Sequence, residues 1–168
     1  MESRMVFRYA QREDVPSVLE LIRELAAYEH MEDQVVATAQ LLEEWLFERK
    51  KAEVILGELE GKVVAFALFF HNFSTFLGRA GIYLEDLYIQ PAYRGKGYGK
   101  ALLRQLAKVA LERECGRLEW ACLNWNTPSI GFYLSLGAQP MDEWTTYRLT
   151  GDSLRQMAGD AEADSSKP

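Results

Sequence analysis

The chain is poor in the residues that staple small or secreted proteins together. Its 168 residues include only two cysteines, Cys115 and Cys122, and two histidines, His30 and His71. The cysteines do not make a CxxC pair and both lie in or beside apolar segments. Buried free thiols are therefore expected rather than a disulfide framework, with a redox pair as the outside alternative. The histidines fall into no ligand-spaced cluster, and no metal is expected. Long apolar runs are missing too. The longest, Val63 to Phe70, has eight residues, against the ~18 that a membrane span needs. Met1-Glu2-Ser3-Arg4 lacks the apolar stretch of a signal peptide, so the expectation is a cytoplasmic protein without a membrane partner. An excess of basic charge is also absent. The net charge is −6, which argues against nucleic acid as a partner.

What the chain does contain is the balance of an ordinary globular protein, 48% hydrophobic and 26% charged, at a length suited to one domain. That domain is expected over residues 1–157, followed by an acidic, aperiodic and disordered tail over 158–168. Charge is unevenly spread. Residues 1–90 carry 9 basic and 16 acidic side chains, residues 118–168 carry 3 and 7, and residues 91–117 carry 7 and 2. A short positive block in an acidic protein points to one anionic ligand, and the acidic remainder to a cation.

Periodicity supplies the elements. Val6 to Tyr9 reads as a first strand. Val15, Val18, Leu19, Ile22, Leu25 and Ala26 recur at helical spacing behind Asp14, a candidate cap, and Leu41, Leu42, Trp45 and Leu46 mark a second helix over 38–50. Val54-Ile55-Leu56, Glu60-Gly61 and the run from Val63 form a hairpin signal. The run from Val63 is apolar on both faces, as in a strand covered on two sides. A strand over 82–89 carries Glu85-Asp86 at its middle. Leu102, Leu103, Leu106, Val109, Ala110 and Leu111 make one stripe of a helix over 97–113. A strand over 118–123 follows. A helix over 128–136 comes next, opened by Thr127 as cap and Pro128 and stopped by Gly137, and a last strand covers 145–149. The order β-α-α-β-β-β-α-β-α-β describes an α/β (mixed α+β) protein with a mixed sheet between helices.

The sharpest motif is Arg94-Gly95-Lys96-Gly97-Tyr98-Gly99, placed between a strand and a long helix. Glycines there let backbone N–H groups turn inward, and the helix N-terminus adds partial positive charge, so the loop suits a pyrophosphate. Lys96, Lys100, Arg104 and Lys108 repeat every four residues and form one ridge, of which Lys96 and Lys100 can reach phosphates. The string is neither a Walker loop nor a dinucleotide fingerprint. It fits the R-x-x-G-x-G pattern, carried here by Arg94, Gly97 and Gly99, and so resembles the GNAT acetyltransferases. Several further strings are similar to the diamine (spermidine/spermine) and thialysine N-acetyltransferases of that superfamily. They are Tyr83-Leu84-Glu85-Asp86-Leu87-Tyr88-Ile89, Asn124-Trp125-Asn126, Pro128-Ser129-Ile130, Phe132-Tyr133, Leu136-Gly137-Ala138 and, near the start, Leu21-Ile22-Arg23-Glu24-Leu25-Ala26 with Tyr28-Glu29.

The resemblance implies a GNAT fold, with a central, mostly antiparallel sheet flanked by helices on both faces and acetyl-CoA held at strands that splay after residue 84. The backbones of Leu87, Tyr88 and Ile89, the loop residues Arg94 to Lys100, and Asn126 and Ser129 would bind that co-substrate. Glu85 would take the amine proton, through water because a carboxylate is a weak base, and Tyr133 would reprotonate the thiolate. Tyr28, Glu29, Glu85 and Glu119 would hold the amine. Each has a plainer alternative: Glu85 as one half of a salt bridge to a helix, Tyr133 as a core aromatic beside Ile130 and Leu136, Asn126 as a shaper of the helix entry. Ser74 and Thr145 stand where polyamine acetylators carry acids, which favours a lysine analogue or short diamine over a long polycation. The implied protein is a homodimeric N-acetyltransferase of a small amine. A non-catalytic acyl-CoA-binding module and a protein or peptide N-acetyltransferase are the alternatives.

Overall fold

The structure is a computed structural model that describes residues 4–160. The chain divides into two compact units, the first ending at Ala121 and the second starting at Cys122.

In the first unit, five strands form one sheet in chain order: β1 (Val6–Tyr9), β2 (Glu53–Leu59), β3 (Lys62–Ser74), β4 (Arg79–Ile89) and β5 (Leu118–Trp120). β1 to β4 are antiparallel, and β5 runs parallel to β4. Connections explain the switch. Short turns reverse the chain between β2, β3 and β4, whereas the helix α3 (Tyr98–Glu112) carries it back across the sheet between β4 and β5. The β2–β3 turn is the two-residue Glu60-Gly61, with φ of +51° and +78°. That mirror-image turn matches the twist of the strands it joins, and its second position suits glycine.

β3 is covered on both sides, as its unbroken apolar run predicts: Val64, Ala65, Phe66, Ala67 and Phe69 are fully buried. On one face Val54, Leu56, Phe66 and Tyr88 pack with Val18 and Leu21 of α1 (Val15–Tyr28) and with Leu46. On β4 and β5, α3 packs with Leu102, Leu103, Leu106, Val109 and Ala110 buried, whereas Leu111, expected on the same stripe, is turned to the exposed side of the helix. The expected sheet between helices is what forms.

Details differ for local reasons. Asp14 precedes α1 but does not cap it with its side chain. Its carboxylate is taken by Arg8, 2.7 and 2.8 Å away, and accepts the Gln11 N–H at 2.7 Å; the Arg8 hydrogen bonds hold it below the usual carboxylate range. The second helix starts as expected, with Thr38 Oγ1 accepting the Leu41 N–H. It is α-helical only over α2 (Ala39–Glu43), then widens to a π-turn over Glu44–Glu48. Arg49 N–H reaches Glu44 O at 2.7 Å, its guanidinium pairs with the Glu44 carboxylate and it stacks 4.6 Å from the Trp45 ring. Cys115 and Cys122 are half-buried thiols and not disulfide-bonded, so full burial was the wrong expectation.

The second unit holds α4 (Thr127–Ser135) and α5 (Gly151–Ala158). α4 begins one residue before the expected Pro128, with Asn126 rather than Thr127 in the cap position, and the chain turns after it at Gly137, φ +87°. The strand expected over 145–149 does not form. Alternation marks a sequence that can pair, but a strand needs a neighbour, and residues 145–149 have none among the described residues. α5 was not read from the sequence, because an octapeptide with only Leu154 and Met157 at helical spacing gives little signal; an Asp152–Arg155 pair at 3.7 Å spans one turn of it. Of the tail expected over 158–168, residues 161–168 lie outside the described residues. No helix among the described residues is long and apolar enough to cross a membrane.

Candidate active site

The site starts from an irregularity in β4. Leu68 pairs with Asp86 while Phe69 pairs with Leu84, leaving Glu85 as an extra residue. This is a β-bulge. β5 meanwhile pairs with Ile82, Tyr83 and Leu84 and ends at Trp120. Beyond Leu84, β4 has no strand on that edge among the described residues. Gln90 N–H donates to Val64 O at 2.9 Å, toward β3. Alternation by two then turns the N–H groups of Leu87 and Ile89 to the open edge.

β4 leads through a 3₁₀ turn, Pro91–Tyr93, into the glycine loop. Gly95 and Gly97 take φ of +76° and +82°, and Gly97 precedes the first turn of α3. These are left-handed conformations that suit glycine. A Cβ at Gly95, Gly97 or Gly99 would meet nothing within 4 Å, so the space over the loop backbone is open. Tyr98 is half-buried, while Lys96, Lys100, Arg104 and Lys108 are exposed, the last three along one face of α3.

The acids divide unequally. Glu85 is exposed, because the bulge turns it out of the pleat. Of the two adjacent acids, Asp86 and not Glu85 bears the cost of burial. Burial pushes the Asp86 carboxyl up to about 6, with the charges of Glu85 and Glu29 adding to the shift. Glu29, just past the end of α1, is itself raised by burial. Tyr28, on the last turn of α1, lies under the Arg94 guanidinium, 4.8 Å from its ring centre. Glu119 stands apart from this group in its partners. It pairs with Arg117 at 2.9 Å and accepts a hydrogen bond from Asn72 at 2.9 Å, so its charge is already balanced. Tyr83, between Glu85 and Glu119 in its electrostatics, is raised by burial first and by those two charges next. Ser74 is buried, and its Oγ accepts the Leu77 N–H at 3.2 Å in the turn after β3; Thr145 is exposed in the second unit.

Tyr133, Asn126 and Ser129 all belong to the second unit. Tyr133 is half-buried on α4 beside Phe132, ring centres 5.6 Å apart. Asn126 takes the cap position and Ser129 the first turn.

The acetyltransferase (GNAT) family matches residues 15–138. The chain belongs to this family. It is 38% identical to a thialysine N-epsilon-acetyltransferase of Bos taurus, over 92% of this chain and 98% of that protein. It is 32% identical to a spermidine/spermine N(1)-acetyltransferase-like protein 1 of Homo sapiens, over 90% of this chain but 23% of that longer protein. Among solved structures it superposes on an integron cassette protein of V. cholerae with a TM-score of 0.78 and 28% identity, covering 92% of this chain and 97% of that one. A ribosomal-protein-alanine N-acetyltransferase of Brucella melitensis, TM-score 0.69 at 20% identity, shares the fold.

As a GNAT N-acetyltransferase, the chain transfers an acetyl group to an amine. A primary amine is mostly protonated at neutral pH, so the reaction needs anions that hold an ammonium and a path for its proton. The bulged half of β4 offers both kinds of group, a half-buried acid and a solvent-facing one. Of the acids and aromatics that the resemblance marks, Glu85, Tyr28 and Glu29 lie with Asp86 around the bulged end of β4 and the end of α1. Sequence reasoning did not place Asp86 in the site, because only the register with β3 tells which of two adjacent acids is turned inward. Glu24 and Gln90, which hydrogen-bond at 3.2 and 3.3 Å across the same seam, were also missed. Their signal is Glu24 one turn ahead of Tyr28, facing the alternation Asp86, Tyr88, Gln90.

Proposed function

We propose that the chain acetylates a primary amine of a small molecule, a thialysine-like amino acid or a short diamine, with acetyl-CoA as donor and both substrates bound together. The observation that carries the reading is the bulged half of β4, open on one edge, leading through a short turn into an open glycine loop. Acetyl-CoA supplies the activated thioester. Its pyrophosphate suits the positive-φ loop and the first turn of α3, with Lys96 and Lys100 adding charge. The open N–H groups of Leu87 and Ile89 suit its amide-rich arm and the thioester oxygen.

On the amine side, Asp86 and Glu29 are acids raised in pKa with no cation as the cause of either shift. An ammonium there relieves their repulsion and the cost of burial, so these two are assigned to hold the amine, with Tyr28 at their edge. Glu85, exposed at the bulge, is assigned to pass the amine proton to water, and Tyr133 to return a proton to the departing thiolate. Glu119, already paired, is left out of the amine site. Thialysine named for relatives at 36–38% identity favours the lysine-like amine, as does Ser74, whose hydroxyl is used inside a turn. The single domain over 1–157 and the homodimer remain parts of this reading.

The test is thiol release from acetyl-CoA against thialysine, lysine, putrescine, spermidine and a peptide, with Tyr133→Phe alongside. Turnover on a small amine is expected. The variant should lose about a hundredfold in kcat, the low end for a general acid, while still binding acetyl-CoA. Acetyl-CoA binding with no turnover on any amine favours an acyl-CoA-binding module, and turnover on the peptide alone a protein acetyltransferase.

A further inference from the structure

We propose that Arg94 is a positioning residue of the amine site rather than a ligand of the donor's phosphates, an assignment that rests on the acetyltransferase reading above. Its place directly before Gly95 suggests a phosphate contact. The side chain is committed elsewhere. Arg94 Nε donates to Ile89 O at 2.8 Å, and that carbonyl lies on the open edge of β4, on the same side as the Ile89 N–H. The guanidinium carbon is 4.8 Å from the ring centre of Tyr28 and 5.2 Å from that of Tyr88. Both distances fall within the range of cation–π attraction. Turning the group toward a phosphate breaks a charge-assisted hydrogen bond and two stacking contacts at once.

Those contacts close a seam. Glu24 and Tyr28 lie one turn apart on α1, and Asp86, Tyr88 and Gln90 alternate along β4 and just past it. Gln90 Nε2 donates to the Glu24 carboxylate, and the buried Tyr88 hydroxyl, raised by burial first, senses both Glu24 and Arg94. Arg94 adds the clamp on Tyr28. The next groups along the seam are Glu29 and Asp86, whose charges already sense one another. Arg94 thus fixes the end of α1 against β4, and with it the separation of the two acids assigned to the ammonium. Lysine cannot substitute, because it lacks both the planar face and the Nε donor.

The test is Arg94→Lys, which keeps the charge. Acetyl-CoA affinity is measured by calorimetry without amine, and steady-state constants are measured with the amine preferred by the wild type. The amine KM should rise about tenfold, the scale of one stacking contact with one hydrogen bond, and the acetyl-CoA Kd should stay within about twofold. Tyr28→Leu should raise the amine KM as well. The double variant should be no worse than the poorer single one, because both remove the same clamp. A tenfold loss of acetyl-CoA affinity with the amine KM unchanged overturns the assignment, and so do strictly multiplicative effects in the double variant. A wild type that neither binds acetyl-CoA nor releases thiol overturns the function itself, a result that cannot be confused with a donor-binding defect confined to the variant.

Discussion

From Arg79 to Leu84, β4 is paired with β3 on one edge and, over its last three residues, with β5 on the other; Ile82 and Leu84 are buried in the core. From Glu85 to Ile89 the same strand has a bulge, one open edge, an exposed acid and an acid pushed up to about 6. The first half contributes to stability through burial and ladder hydrogen bonds. The second half spends stability: it leaves N–H groups unpaired and confines like charges. The open end of this strand is built by withholding partners that the paired end receives.

The comparison can be broken most directly at the bulge. Glu85→Gln should lower kcat by about a hundredfold with little change in the amine KM, the signature of a lost proton acceptor. An unchanged kcat would remove the functional distinction between the halves. Asp86→Asn should act on binding, raising the amine KM about tenfold, as expected for a lost charge-assisted contact.

Asp86 also separates the halves through pH. Its folded-state carboxyl lies above the ordinary 3.8, so between about pH 4 and 6 the native chain binds more protons than the unfolded one. Stability therefore falls as pH rises through that window. Above it the ionised group costs the fold about 3 kcal/mol. Asp86→Asn should raise the melting temperature by about 9 °C at pH 7.5 and leave it unchanged at pH 4. In parallel, kcat/KM for the amine should drop below about pH 6 in the wild type, with that break absent from the variant. Melting curves and pH–rate profiles read the two effects. The smallest expected kinetic effect belongs to the paired half. Ile82→Val should cost about 1 kcal/mol in urea denaturation and leave kcat and both KM values unchanged.

Much of this was legible in the chain. The apolar run from Val63 announces a strand covered on both faces, the stripe of α3 announces its burial, and Glu60-Gly61 fixes the hairpin. The turn from Arg94 to Gly99 is legible as well, because left-handed glycines before a helix are a local property. The bulge was not legible, since register is a relation between two strands and neither carries it alone. For the same reason nothing in the dipeptide Glu85-Asp86 tells which acid is turned inward; the register makes it Asp86. Residues 145–149 illustrate the opposite error, where alternation is local but pairing is not. Arg94 was read by its neighbours in sequence, whereas its contacts come from Ile89, Tyr28 and Tyr88.

The bulge at Glu85 has a bearing on how this molecule behaves in a crowd. An unpaired strand edge is a template on which another chain can polymerise, provided the edge is regular enough to match rung for rung. One surplus residue spoils that match, and the Arg94 guanidinium occupies the Ile89 carbonyl at the far end. The edge stays available to a ligand's few hydrogen bonds while it refuses the long regular ladder of a second strand. The irregularity that sets Glu85 out of the pleat thus also guards against aggregation.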